Sequence, residues 1–263
     1  MSLAPPYVDV ADGRTVVTSV VRALAVVAAA FLLAAVIGSI ATSLAGVEEL
    51  DATQVSAPLY ALLNGLAFVG FLLAAVGFVR LRDEPGLVHV RSPSASTVGW
   101  ALVGVVAVLL SAVVMDAVVA ALSALVESLF GVGVETGQNN IVEQGRANPE
   151  LFLWMVPVSL LLVGPGEELV FRGVVQGLFR RSFGVVPGIV LASALFGVGH
   201  YAAVSSGSAW TYILVAGSLG LVLGVLYEYT ENIAVPALAH GLWNAGLFVV
   251  NYYTVTAGVP VPG

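Results

Sequence analysis

The chain has 263 residues, 59% of them hydrophobic and only 10% charged, with a mean hydropathy of +1.01. Soluble domains carry about 25% charged residues, so this composition belongs to an integral membrane protein. Nine Arg against sixteen acidic residues give a net charge of -7, which argues against a nucleic-acid partner, and the absence of cysteine excludes disulfides, Cys metal sites and thiol nucleophiles.

Apolar runs of about 20 residues, enough for a helix to cross a bilayer core, predict seven spans. The first, 22–44, is too long for a signal peptide and is followed by more of its kind. The second covers 57–79 and the third 98–126, with Asp116 deep inside it. That depth makes Asp116 a functional candidate, and equally a structural partner or a cavity lining. The polar stretch 131–149, with Gln138-Asn139-Asn140, reads as an external loop that holds a short surface or re-entrant helix, an eighth helix. The remaining spans are 151–179, 188–203, 209–227 and 234–252. In the sixth, Ala216, Gly220 and Gly224 form a small-residue ridge for close helix packing. The fold class is therefore all-α, a polytopic transmembrane helix bundle without internal repeats. Its N-terminal half, 1–150, carries no motif, and 151–252 carries the chemistry.

The arginines orient the bundle. Arg14 and Arg22, then Arg80, Arg82 and Arg91, then Arg180 and Arg181 fall in alternate connections, whereas the intervening ones are acidic. By the positive-inside rule the N-terminus is cytoplasmic.

Within the fourth span lie Glu167, Glu168 and Arg172. Charges at that depth usually face a bundle interior or a wet cavity, because each costs at least about 2.5 to 3.5 kcal/mol to insert. Glu168 and Arg172 are four apart and suit an ion pair, while Glu167 points about 100 degrees away and stays free to act as a base. Gly164-Pro165-Gly166 loosens or kinks the helix just before them. His200 ends Phe196-Gly-Val-Gly-His in the fifth span, with Phe196 a core residue, and His240 and Asn244 share one face of the seventh. His89, beside Arg91, reads as a solvated loop histidine. Counted from the arginine-rich ends at about 1.5 Å per residue, Glu167 and His200 lie about 20 Å deep and His240 and Asn244 about 10 and 16 Å. A shared site opening toward the cytoplasm is the expectation.

Glu-Glu-x-x-x-Arg, Phe-x-x-x-His and His-x-x-x-Asn, in that order on separate apolar helices, resemble the CAAX protease and bacteriocin-processing family, also called Abi, which includes the Ras-converting CAAX endopeptidases. The resemblance implies peptide-bond hydrolysis in the membrane. By motif position it implies Glu167 as the residue that activates water, His200 as its assistant, His240 and Asn244 as oxyanion stabilisers, and Glu168 and Arg172 as groups that orient them. The partners it implies are the lipid bilayer and a membrane-tethered peptide, with prenylated C-termini as one class. Glu167, His200 and His240 would also match a zinc set of two His and one Glu, although His-Glu-x-x-His is lacking. A metal-free base is the preferred reading and zinc the alternative. The residues alone leave two other functions open, a transporter or proton relay and an inactive membrane scaffold.

Overall fold

The computed structural model describes residues 7–259. A backbone in lipid can satisfy its polar groups only internally, so the apolar runs become helices. Helix α1 (Gly13–Leu44) is followed by α2 (Ala57–Ala67) and α3 (Val69–Leu81), which form one span interrupted at Phe68, and then by α4 (Ala95–Phe130). Strand β1 (Gln138–Asn139) and helix α5 (Asn140–Ala147) occupy the long connection. A continuous helical rod, Glu150–Phe183, contains α6 (Glu150–Val158), α7 (Gly164–Glu168) and α8 (Gly177–Phe183). Helix α9 (Val185–Gly199) ends in a 3-10 turn (His200–Ala203), strand β2 (Val204–Ser206) follows, and α10 (Ala209–Thr230) and α11 (Ala234–Thr256) complete the bundle.

Six of these stretches are long and apolar enough to cross a membrane, against seven expected. The one outside that set is α11, which has 23 residues but carries His240, Asn244 and Asn251. Its polar residues, not its length, set it apart.

The rod is the central element. Val170, Phe171, Val174 and Val175 are buried in it, among Ala23 and Ala30 of α1, Phe71 and Ala74 of α3, and Ala192 and Phe196 of α9. Helix α10 packs against α9 through the small-residue ridge: a Cβ added to Gly220 would meet Ser193 at 3.1 Å and Phe196 at 3.2 Å. The residues around the acidic pair thus belong to the best buried helix of the chain.

The Gly-Pro-Gly segment does not break the rod. It is bracketed by two π-helical stretches, Ser159–Val163 and Leu169–Gln176. Pro165 has no N–H to give its preceding turn, and the wider π turns accommodate that loss. The glycines serve a second purpose, close docking of α11. A Cβ at Gly164 would lie 2.5 Å from the Ala237 carbonyl oxygen, and one at Gly241 would lie 2.9 Å from that of Ser159. Gly164→Ala must therefore push α11 outward. A loss of about 1 to 3 kcal/mol is expected, read as a lower unfolding midpoint in detergent.

The two ends of the bundle differ in charge. The N-terminus of α1, the α3–α4 connection, the α8–α9 junction and the α10–α11 turn form one end, tied together by Glu84, which accepts from Arg22 and Arg181, and by Arg91 with Glu231. This end carries seven of the nine arginines. At the other end, Arg146 stands alone against Glu48, Glu49, Asp51, Glu127, Glu135, Glu143 and Glu150. There β1 and β2 pair antiparallel, with Gln138 opposite Ser206 and Asn139 opposite Val204, a ribbon too short to leave an alternating pattern in the sequence. Gln144 and Asn148, in and just after α5, clasp the backbone of Ala52 at 2.7 and 3.1 Å. Asp116 lies exposed on α4 and does not line the cavity described below. His89 is half buried, with its ring 6.2 Å from that of Tyr227, rather than free in solvent.

Candidate active site

Glu168 is completely buried and joins two helices. One carboxylate oxygen accepts from Arg172 Nε at 2.9 Å, one helical turn along the rod, and the other accepts from His240 Nδ1 of α11 at 3.0 Å. The close approach of Gly164 and Gly241 is what brings His240 within reach. Arg172, also fully buried, lays its guanidinium 4.6 Å from the centre of the Phe196 ring, a cation–π contact that partly compensates its desolvation. Phe196 then packs edge to face on Phe171 and lies 4.4 Å from the His200 ring, centre to centre. The sequence assigned Phe196 to the core. In the structure it is the hub on which both histidines and the arginine rest.

Glu167 points the other way, into a cavity of about 540 Å³, and is 12% exposed. Two imidazoles aim at it. His200 Nδ1 is 2.8 Å from the Phe196 carbonyl oxygen, which can only accept, so Nδ1 donates and Nε2 is turned toward Glu167 Oε2 at 4.0 Å. The same logic fixes His240. Its Nδ1 donates to the Glu168 carboxylate, and its Nε2 lies 3.8 Å from Glu167 Oε2. Both rings are thus held by one nitrogen and present the other to a single carboxylate oxygen, which itself has no hydrogen-bond partner among the described residues.

The structure therefore gathers Glu167, Glu168, Arg172, His200 and His240 into one contiguous cluster, and Asn244 lines the same cavity as Glu167 and His200. Tyr212 of α10 was not read from the sequence. Its hydroxyl accepts from the Asn139 amide at 2.7 Å, and its ring lies 6.1 Å from that of His200, so it ties the ribbon to the cavity wall that carries His200. A tyrosine in an apolar span gives no pattern by which to find it.

The cavity does not face the arginine-rich end. Its walls include Gln138, Asn139, Ile141, Ala202, Ala203 and Asn251, all from the acidic end. Counting from the arginines measured the distance to one end and left the other unmeasured. His200 begins the last turn of its span, next to β2, so the site lies nearer the acidic end than the count suggested.

Zinc held by Glu167, His200 and His240 would require these side chains to draw together. Tetrahedral ligands at about 2.0 to 2.2 Å from a metal stand about 3.4 Å apart. The Glu167 oxygen is 3.8 and 4.0 Å from the two nitrogens, and among the described residues no three His, Asp or Glu side chains form a group able to hold a metal ion.

Residues 149–246, which hold the five side chains of the cluster and Asn244, match the family described as type II CAAX prenyl endopeptidase Rce1-like. Over 197 residues the chain is 26% identical to the membrane-embedded CAAX protease MroQ of Staphylococcus aureus (strain USA300), covering 70% of this chain and 72% of that one. It is 27% identical over 111 residues to the uncharacterized protein YpbD of Bacillus subtilis (strain 168), covering 41% of this chain and about half, 53%, of the Bacillus protein. No solved structure matches. Over its motif-bearing segment this membrane protein is thus similar to the Rce1-like CAAX prenyl endopeptidases.

Proposed function

We propose that this protein is an intramembrane endopeptidase that hydrolyses peptide bonds of membrane-tethered substrates, prenylated C-termini among them, with Glu167 activating water. One observation carries the reading: two imidazoles, each anchored through Nδ1, turn Nε2 toward one unpartnered carboxylate oxygen at the edge of a cavity. Separations of 3.8 and 4.0 Å are too long for direct hydrogen bonds and suit a bridging water. Glu167 takes a proton from that water as its oxygen attacks the scissile carbonyl carbon. The carbonyl oxygen becomes an oxyanion held by the Asn244 amide and by Nε2–H of His240 in its imidazolium form, whose Nδ1–H remains on Glu168. Glu167 then returns the proton to the leaving nitrogen, the C–N bond breaks, and a carboxylic acid and an amine result. Glu168 and Arg172 touch no reacting atom. They fix the His240 ring and hold a buried charge balance around it.

The test is hydrolysis of a tethered peptide by the purified protein in liposomes. Exhaustive chelation, checked by metal analysis, is expected to leave the rate unchanged; loss restored by added zinc would overturn the water-activation scheme.

Sidedness follows from the arginines. With the arginine-rich end in the cytoplasm, the cavity lies toward the opposite, outer face of the membrane. The chain has no cysteine, so single labels are clean. Ser182 is fully buried and unsuitable, but Ser92 at the arginine-rich end and Ser206 at the acidic end are exposed. An impermeant maleimide should label Ser206→Cys in intact cells and Ser92→Cys only after permeabilisation. The reverse pattern inverts the orientation.

A further inference from the structure

Proteolysis in a membrane has a requirement beyond a base and an oxyanion hole. A helical substrate hides its carbonyl carbons, so the segment around the scissile bond must unwind, which frees main-chain N–H and C=O groups in surroundings where each unpaired group costs several kcal/mol. The enzyme has to supply partners for them.

Two polar side chains that reach the cavity from the membrane-spanning helices have no assigned work. Ser159, at the start of the first π stretch, is fully buried, its hydroxyl oxygen has no partner, and it lines the cavity. Asn64, alone among the apolar residues in the middle of the α2–α3 span, also lines it. Its amide makes no hydrogen bond to another described residue. By contrast, Asn139 is committed to Tyr212 and Asn251 to the Leu247 carbonyl. An unpartnered polar group in a folded interior, such as the Ser159 hydroxyl, is uncommon and calls for an explanation, and the half-buried Asn64 borders the same cavity.

Asn64 and Ser159 also sit at one level. A Cβ on Gly65, next to Asn64, would be 3.1 Å from both Val158 and Leu162 of the rod. A Cβ on Gly241, three residues before Asn244, would be 2.9 Å from the Ser159 oxygen and 3.0 Å from Leu160 Cα. Three helices therefore bring Asn64, Ser159 and Asn244 to the same stretch of the rod. Ser159 lies eight residues before Glu167, about 12 Å at helical rise. An extended chain covers that distance in about four residues. Elsewhere the lining includes Phe31, Phe68, Phe71 and Phe171, which offer no hydrogen bonds to a peptide backbone.

We infer that Asn64 and Ser159 form a main-chain binding subsite, which continues from Asn244 and pairs with the unwound peptide about three to four residues from the scissile bond. This subsite deepens the endopeptidase reading and rests on it. An amide suits the task, with two donors and an acceptor that reproduce what a neighbouring strand would offer, and a hydroxyl adds one of each. The apolar remainder of the cavity can then receive side chains without naming them, so the enzyme grips the backbone and tolerates sequence.

The experiment measures binding of a tethered peptide to the Glu167→Gln protein in liposomes, where no turnover intervenes. Asn64→Leu and Ser159→Ala, each added to that background, should weaken binding several-fold to about tenfold, as loss of one desolvated hydrogen bond does. A series of peptides singly N-methylated along four residues on each side of the scissile bond should reveal one position where methylation costs the parent protein affinity and costs the Asn64→Leu or Ser159→Ala protein nothing more. Ser159→Ala should leave the unfolding midpoint unchanged or raise it, since its hydroxyl bonds nothing in the fold. Affinities and methylation penalties untouched by both substitutions overturn the inference, as does a midpoint that falls with Ser159→Ala. Failure of the endopeptidase reading looks different: the peptide binds, and binds more weakly to the variants, but wild type never cleaves it.

Discussion

Glu167→Gln lowers hydrolysis of a tethered peptide by about 10² to 10⁴-fold, the usual worth of a positioned general base. The substitution is nearly isosteric and breaks no hydrogen bond, since the buried carboxylate oxygen has no partner among the described residues. It should therefore leave the unfolding midpoint in place while it removes the reaction. Initial rates in liposomes, with a parallel melt, check both halves. Residual activity close to wild type would show that another group activates water. A wild type that cleaves nothing, paired with ion flux that Glu167→Gln abolishes, would replace the hydrolase with a proton or ion relay.

Much of this architecture is legible in the chain because lipid simplifies the reading. Backbone in hydrocarbon must be helical, so apolar length alone locates the spans to within a few residues of the α2–α3 pair, α4, the rod, α9 and α10, and finds the end of α1 but not its start at Gly13. The pairing of Glu168 with Arg172 follows from a spacing of four along one helix. What spacing does not encode is contact between helices. The bond from His240 to Glu168 joins residues 72 apart and depends on Gly164 and Gly241 meeting; Gly164 reads in the sequence as looseness, and in the structure both glycines act as docking surface. The ribbon of β1 and β2 escapes for a different reason: strands of two and three residues are shorter than any alternation that could announce them. Depth counted from one membrane face leaves the distance to the other open, so the position of the cavity is not legible in the spacing. Asn64 and Ser159 were visible as isolated polar residues in apolar runs, but without a motif neither stood out until the fold brought them to the level of Asn244.

The largest effect on stability is expected at Arg172. Its Nε is bonded to Glu168 at 2.9 Å, both side chains are wholly excluded from solvent, and its charge rests on the face of Phe196. Arg172→Met removes the cation and leaves Glu168 buried with His240 as its remaining partner, a loss of about 3 to 5 kcal/mol by the usual penalty for an orphaned buried charge. Lys is no substitute, since an ammonium can neither donate from Nε geometry nor stack flat on the ring. The double variant Glu168→Gln with Arg172→Met removes both charges, and a neutral pair of similar volume often folds as well as the ion pair it replaces, so much of the lost stability should return. Activity should not return with it, because a neutral amide holds the His240 ring less firmly than the carboxylate does. Denaturant titration and cleavage assays on the single and double variants separate the two effects. A double variant no more stable than Arg172→Met would locate the role of Arg172 in its packing on Phe196. Recovery of stability without recovery of rate would place the cost of this buried ion pair where the chemistry needs it, in the orientation of His240 toward Glu167.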